Sequence, residues 1–184
     1  DSKLWLWHVA GDSVAGPFYG PRPRKLYYQP SCSMPAAFSP DGALLAWACD
    51  RDLGLYRVQD GVRLRPLPIP EPVLGLAFSM DGTLLAASTS KRVRLWQFDG
   101  TGGLSYRDLS RGAPLLLAFS PDAQLLAITG GTGANVRRTS DGKNLQGWSG
   151  VHNDRTGALA FAPDGSYFVT GAADGQHCFW GLQP

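Results

Sequence analysis

Residues 35–50 read PAAFSPDGALLAWACD. An apolar stretch ends at Phe38, the turn Ser39-Pro40-Asp41-Gly42 follows, and a second apolar stretch begins. Pro at the second turn position fixes φ near about −65°, and Gly at the fourth tolerates the exit geometry, so the segment is a β-hairpin. The same phrase recurs as LGLAFSMDGTLLAASTS from Leu74, PLLLAFSPDAQLLAITG from Pro114 and TGALAFAPDGSYFVTGAADG from Thr156. The anchoring phenylalanines Phe38, Phe78, Phe119 and Phe161 stand 40, 41 and 42 residues apart. Near-equal intervals of this length are the mark of a repeat architecture.

About ten residues after each hairpin comes a third stretch rich in β-branched, aromatic and leucine side chains: DLGLYRV, RVRLWQF and GQHCFWG. Asp-Gly pairs at 60–61, 99–100 and 141–142 then open a more polar fourth stretch, VRLRPLP, LSYRDLS or KNLQGWS. Each unit is therefore expected to be a four-stranded antiparallel meander, and the chain all-β. Composition agrees. Of 184 residues, 23 are Gly and 14 Pro, a fifth of the chain against roughly 12% in average usage, which argues against a helical bundle. With 43% apolar residues the chain buries enough surface to fold without disulfides or metal.

A net charge of +2 gives no electrostatic footprint for nucleic acid or an anionic membrane, so the expected partner is a protein or peptide recognised by shape. Cys32, Cys49 and Cys178 form no CxxC pair, no metal or other cofactor is expected, and a reducing, cytoplasmic setting fits. No apolar run reaches the roughly 20 residues of a membrane span, and DSKLWLWHVAGD lacks the pattern of a signal peptide.

The period, the S-P-D-G turn and the L-W or L-Y ending of the third strand resemble the WD-repeat family of β-propellers, over nearly the whole chain from about Lys3 to Trp180. The last unit carries the resemblance best. Members of that family commonly hold a buried hydrogen-bond chain of His, Ser or Thr, Asp and Trp, and the matching positions are His152, Thr170, Asp174 and Trp180. Counted from the anchoring Phe, the other units carry Gln29, Ile69 and Ser110 for the His, and Trp47, Ala87 and Ile128 for the hydroxyl. The family's W-D pair is replaced by Trp96-Gln97, Tyr56-Arg57 and Trp180-Gly181, and the third unit has Arg137-Arg138 in place of an aromatic. Other propellers with S-P-D-G turns, the TolB-like and peptidase-associated ones, remain open on these residues.

The resemblance implies a propeller of about four to four and a half four-stranded blades, an incomplete ring. Residues 1–34 are read as the end of one blade plus an inserted loop, with blades at 35–73, 74–113 and 114–155 and a last, incomplete one at 156–184. The missing blades are expected from the parent chain or from a second chain, because open edges and end faces need covering.

His152, Thr170 and Asp174 have the residue types of an acyl-transfer triad, but the resemblance makes them a structural network. Three histidines, at 8, 152 and 177, do not converge with acidic residues, so no catalytic set is expected. About nine residues are inserted between Trp7 and Tyr56 relative to the next interval. Tyr19, Arg22, Arg24, Lys25, Tyr27 and Tyr28 in that stretch are the candidate partner-binding residues, since aromatic and arginine side chains dominate binding hot spots. The competing reading makes Arg24 to Tyr28 an outer strand and Gly11 to Pro21 a solvated turn. TGGTGAN at 129–135 has no following helix or Lys for a phosphate and reads as a tight turn. The functional expectation is a non-catalytic interaction scaffold, with a propeller accompanying or gating an enzyme as the alternative.

Overall fold

Antiparallel pairing between sequence neighbours accounts for every described sheet of the computed structural model. The structure describes residues 5–10, 13–19, 35–98, 103–111, 114 and 116–181, with backbone alone at 5–10, 13–19, 110 and 111. Strands β1 (Trp5–Ala10) and β2 (Ser13–Tyr19) form a two-stranded sheet. The first blade follows, with β3 (Ala36–Phe38), β4 (Leu44–Cys49), β5 (Asp52–Arg57) and β6 (Arg63–Leu67). The second has β7 (Val73–Phe78), β8 (Leu84–Thr89), β9 (Arg92–Phe98) and β10 (Leu104–Arg111). The third has β11 (Leu116–Phe119), β12 (Leu125–Gly130), β13 (Gly133–Arg138) and β14 (Asn144–Trp148). The fourth shows three strands, β15 (Thr156–Phe161), β16 (Tyr167–Ala172) and β17 (His177–Gly181). No helix is present among the described residues, and none therefore crosses a membrane.

Inner strands β3, β7, β11 and β15 lie beside one another in that order, so the blades stack face to face. A blade between two others is covered on both faces, which is why its middle strands open on continuous apolar runs, as in LLAAST and LLAITG, rather than alternating ones. Alternate residues of β8 go to different cores. Leu85 and Ala87 pack with Ala46, Leu53 and Leu55 of the first blade, while Leu84 and Ala86 pack with Phe119, Leu126 and Ile128 of the third. Ala127, Ala134 and Val136 then meet Phe168 and Trp180 across the third interface.

Serine makes the repeated turn rigid. The Ser39 hydroxyl donates to Asp41 Oδ1 at 2.5 Å and accepts the Leu44 N–H at 2.9 Å, and the Gly42 N–H donates to the Ser39 carbonyl. Ser79 with Asp81 and Ser120 with Asp122 repeat the geometry. Gly42, Gly82 and Gly165 hold φ of 70 to 73° in these turns, and Ala123 is forced to 59° at the same place in the third blade. A left-handed conformation costs a residue with a Cβ roughly 1 kcal/mol.

Two readings of the sequence change. Residues 13–19 are a strand hydrogen-bonded to β1, not loop or solvated turn; Pro17, which has no N–H to give, falls in the irregular step where Leu6 pairs Phe18 and His8 pairs Ala15. Ser110 lies inside β10, so counting back from Phe119 lands in an outer strand rather than in a connection between blades. The segment 129–135 is a hairpin in which Gly130 pairs Gly133, with Gly131 at φ 60°.

Candidate functional site

Register on β16 and β17 brings the quartet of the last blade together. Phe168 pairs Trp180 and Thr170 pairs Cys178, so the indole of Trp180 reaches diagonally to Thr170. Trp180 Nε1–H donates to Thr170 Oγ1 at 3.0 Å, and His152 Nε2 lies 2.8 Å from the same oxygen. Thr170 and His152 are buried, and His152 is carried in by the connection between β14 and β15, whose backbone is pinned by His152 N–H to Thr132 O. One hydroxyl cannot accept twice and strand its own proton in an apolar core. The arrangement that pairs the indole N–H, the hydroxyl and Nε2 has Trp180 donating to Thr170, Thr170 donating to His152 Nε2, and the imidazole proton on Nδ1.

Asp174 stands apart. Its Oδ2 is 3.7 Å from His152 Nδ1, too long for a hydrogen bond, and Nδ1 has no other partner. Its oxygens instead accept the N–H groups of Gln176 at 2.9 Å and Asn153 at 2.7 Å. Those bonds, with a smaller contribution from the imidazole, hold its carboxyl below the usual range. The quartet is thus a three-membered chain with a carboxylate that clamps the β16–β17 turn to the entering loop. A hydroxyl with no exposed surface and both ring partners in place offers a substrate no approach.

Equivalent positions elsewhere carry different chemistry. In the second blade Ile69, Ala87 and Trp96 replace the histidine, threonine and tryptophan and share one apolar cluster, and the Trp96 N–H, buried completely, has no partner. Polar ties in that blade run to the outer strand. Arg94, opposite Ala87, grips Asp108 through Nε at 2.7 Å and Nη2 at 3.0 Å, gives Nη1 to Pro68 O at 2.7 Å, and lies 4.3 Å from the Tyr106 ring centre. Arg92 joins the same Asp108 to Glu71, at 2.6 and 2.8 Å. Arg94 first, then Arg92, hold the Asp108 carboxyl below its ordinary pKa. Spacing could not reveal this cluster, because it depends on a bulge at Leu109 that sets the β9–β10 register.

Of the candidate partner-binding residues, Tyr19 ends β2 with its side chain outside the described residues, and Arg22, Arg24, Lys25, Tyr27 and Tyr28 lie outside them altogether. Arg137 and Arg138 sit in a strand that keeps its pairing on both sides, with Arg137 half-buried and Arg138 exposed. No group of three metal-ligating side chains occurs among the described residues.

Radially stacked four-stranded meanders, joined through inner strands and sealed by a Trp-hydroxyl-His chain, define the β-propeller class. A family profile described as "WD domain, G-beta repeat" matches residues 64–97 and 143–181, each running from the outer strand of one blade through three strands of the next. These matches place WD repeats at residues 64–97 and 143–181 of the chain. The chain is 38% identical over 77 residues to the mouse Intraflagellar transport protein 122 homolog and 36% over 77 residues to the human one, covering 42% of this chain and 6% of those proteins. An uncharacterized WD repeat-containing protein of Synechocystis is 34% identical over 100 residues, 53% of this chain and 28% of that protein. The chain thus spans a small part of the length of these relatives.

Proposed function

We propose that the chain is a non-catalytic propeller segment of a larger multidomain cytoplasmic protein, serving as a scaffold on which other proteins assemble. The observation that carries this reading is the buried quartet: among the described residues, the cluster with the makings of a nucleophilic triad is spent on holding a blade together. Further support comes from relatives bearing the name of a transport protein rather than of a reaction, and from their much greater length.

Further blades are part of the proposal. In the first three blades the residue before the aromatic or arginine position, Leu55, Leu95 or Val136, is covered by the next blade; in the fourth it is Phe179, 65% exposed beside Tyr167. A face of that chemistry fits another blade, from the parent chain or a second one. The basic and aromatic stretch of Tyr19, Arg22, Arg24, Lys25, Tyr27 and Tyr28 is proposed as a contact with a protein or peptide partner, with no role for nucleic acid or membrane.

The test is affinity capture with the chain as bait, then reconstitution of the captured partner from purified components by calorimetry. A saturable complex weakened by Arg24→Ala or Tyr27→Ala is the expected result. Turnover of a small substrate, abolished by His152→Gln in a folded variant, would overturn the reading.

A further inference from the structure

The turns between third and fourth strands in the first and third blades share one frame. Arg57 pairs Asp60 at 2.7 Å, and Arg138 pairs Asp141 at 2.9 Å. Gly61 and Gly142 each donate N–H to that arginine's carbonyl at 2.9 Å. The following residue, Val62 or Lys143, donates its N–H to the turn aspartate. Each first pair is balanced, so the difference lies in what surrounds it. Tyr56 of the first blade becomes Arg137 in the third, and Val62 becomes Lys143.

A third cation arrives from the neighbouring blade. Arg107 on β10 donates Nη1–H to Ser140 O, and Arg137 donates Nη1–H to Gly142 O at 3.0 Å, so two guanidinium groups converge on carbonyls two residues apart. Neither pairs with a carboxylate among the described residues. Arg137 is half-buried, and its Nε has no hydrogen-bond partner. A guanidinium taken partly out of water without a counter-ion is costly, and its remaining planar donors match a carboxylate in bidentate fashion.

We propose that the β13–β14 turn with Arg107 is a docking site for an acidic peptide segment of a partner protein, its carboxylates bridging Arg107 and Arg137 while Lys143 meets a flanking acid. Burial lowers the Arg137 pKa for want of such a partner. This inference rests on the interaction reading above and names the chemistry of one partner surface.

The test is fluorescence anisotropy with a labelled hexaglutamate peptide at roughly 20 mM salt, where surface charges are weakly screened. Saturable binding is expected, weakened about tenfold by Arg107→Gln and by Arg137→Gln, both half-buried, with the melts of both variants checked alongside. Arg57→Gln, at the balanced turn, leaves it unchanged. Absence of saturable binding, equal weakening by Arg57→Gln, or tighter binding of a single-stranded oligonucleotide of the same charge overturns the proposal. If the peptide fails while the reconstituted partner still binds, the docking site alone falls; if both fail, the interaction reading falls with it.

Discussion

The second and fourth blades present one backbone frame with opposite solutions for its middle. In the fourth, a threonine takes the indole N–H and passes its own proton to a histidine, closing a polar chain where no water reaches. In the second, isoleucine, alanine and tryptophan fill the same positions with apolar surface and leave one N–H orphaned. The cross-strand tie has moved outward, to Arg94 and Asp108 between β9 and β10. These two blades therefore place their polar tie across the strands at different positions. The apolar version keeps its packing and leaves the Trp96 N–H unpaired, as the polar version leaves His152 Nδ1, each at about 1 to 3 kcal/mol.

That contrast breaks most sharply at Thr170. Thr170→Val keeps the shape and removes the hydroxyl, orphaning Trp180 Nε1 and His152 Nε2, and urea denaturation should show a loss of about 2 to 4 kcal/mol. Asp108→Asn should cost about 2 kcal/mol, below the value for a fully buried pair because the carboxylate is one-third exposed. The same tie responds to acid. Since Arg94 and then Arg92 lower the Asp108 pKa in the folded chain, its contribution is complete above the unfolded value of about 3.9 and fades as pH falls through the folded one. Melts from pH 5 down to pH 2 should fall less steeply in Asp108→Asn than in the parent. Ala87→Ser offers the Trp96 N–H the acceptor that Thr170 gives Trp180, but with Ile69 in the histidine's place the new hydroxyl's own proton is stranded, so stability should change by less than about 1 kcal/mol. A gain of about 2 kcal/mol or more in the melt would mean that the histidine is not needed to complete the chain.

Legibility in the sequence followed the range of the interaction. The hairpin turn writes its chemistry into four consecutive residues, so the meander can be read from Ser39-Pro40-Asp41-Gly42 and its copies, although the pattern does not show that a serine hydroxyl ties the first three of these turns to the second strand. His152, Thr170, Asp174 and Trp180 could be picked out by spacing, because they flank one hairpin; that Asp174 turns to backbone N–H groups instead of the imidazole is a matter of 3.7 Å, which spacing does not encode. Arg94 with Asp108 required the register set by a bulge, and Arg107 with the β13–β14 turn required knowing which blades touch. Residues 13–19 misled because Pro17 and two glycines nearby read as a loop, while the ladder simply steps around the proline.

A double-mutant cycle on Thr170→Val and Trp180→Phe tests most directly whether the quartet is a structural device. Phenylalanine keeps most of the ring and removes only the N–H, so the cycle isolates the bond between indole and hydroxyl. If that bond holds the blade as described, the two substitutions couple by about 1 kcal/mol or more and the double variant remains a cooperative folder. Additivity within about 0.3 kcal/mol would contradict the account, leaving the buried chain a bystander in a blade held by packing alone.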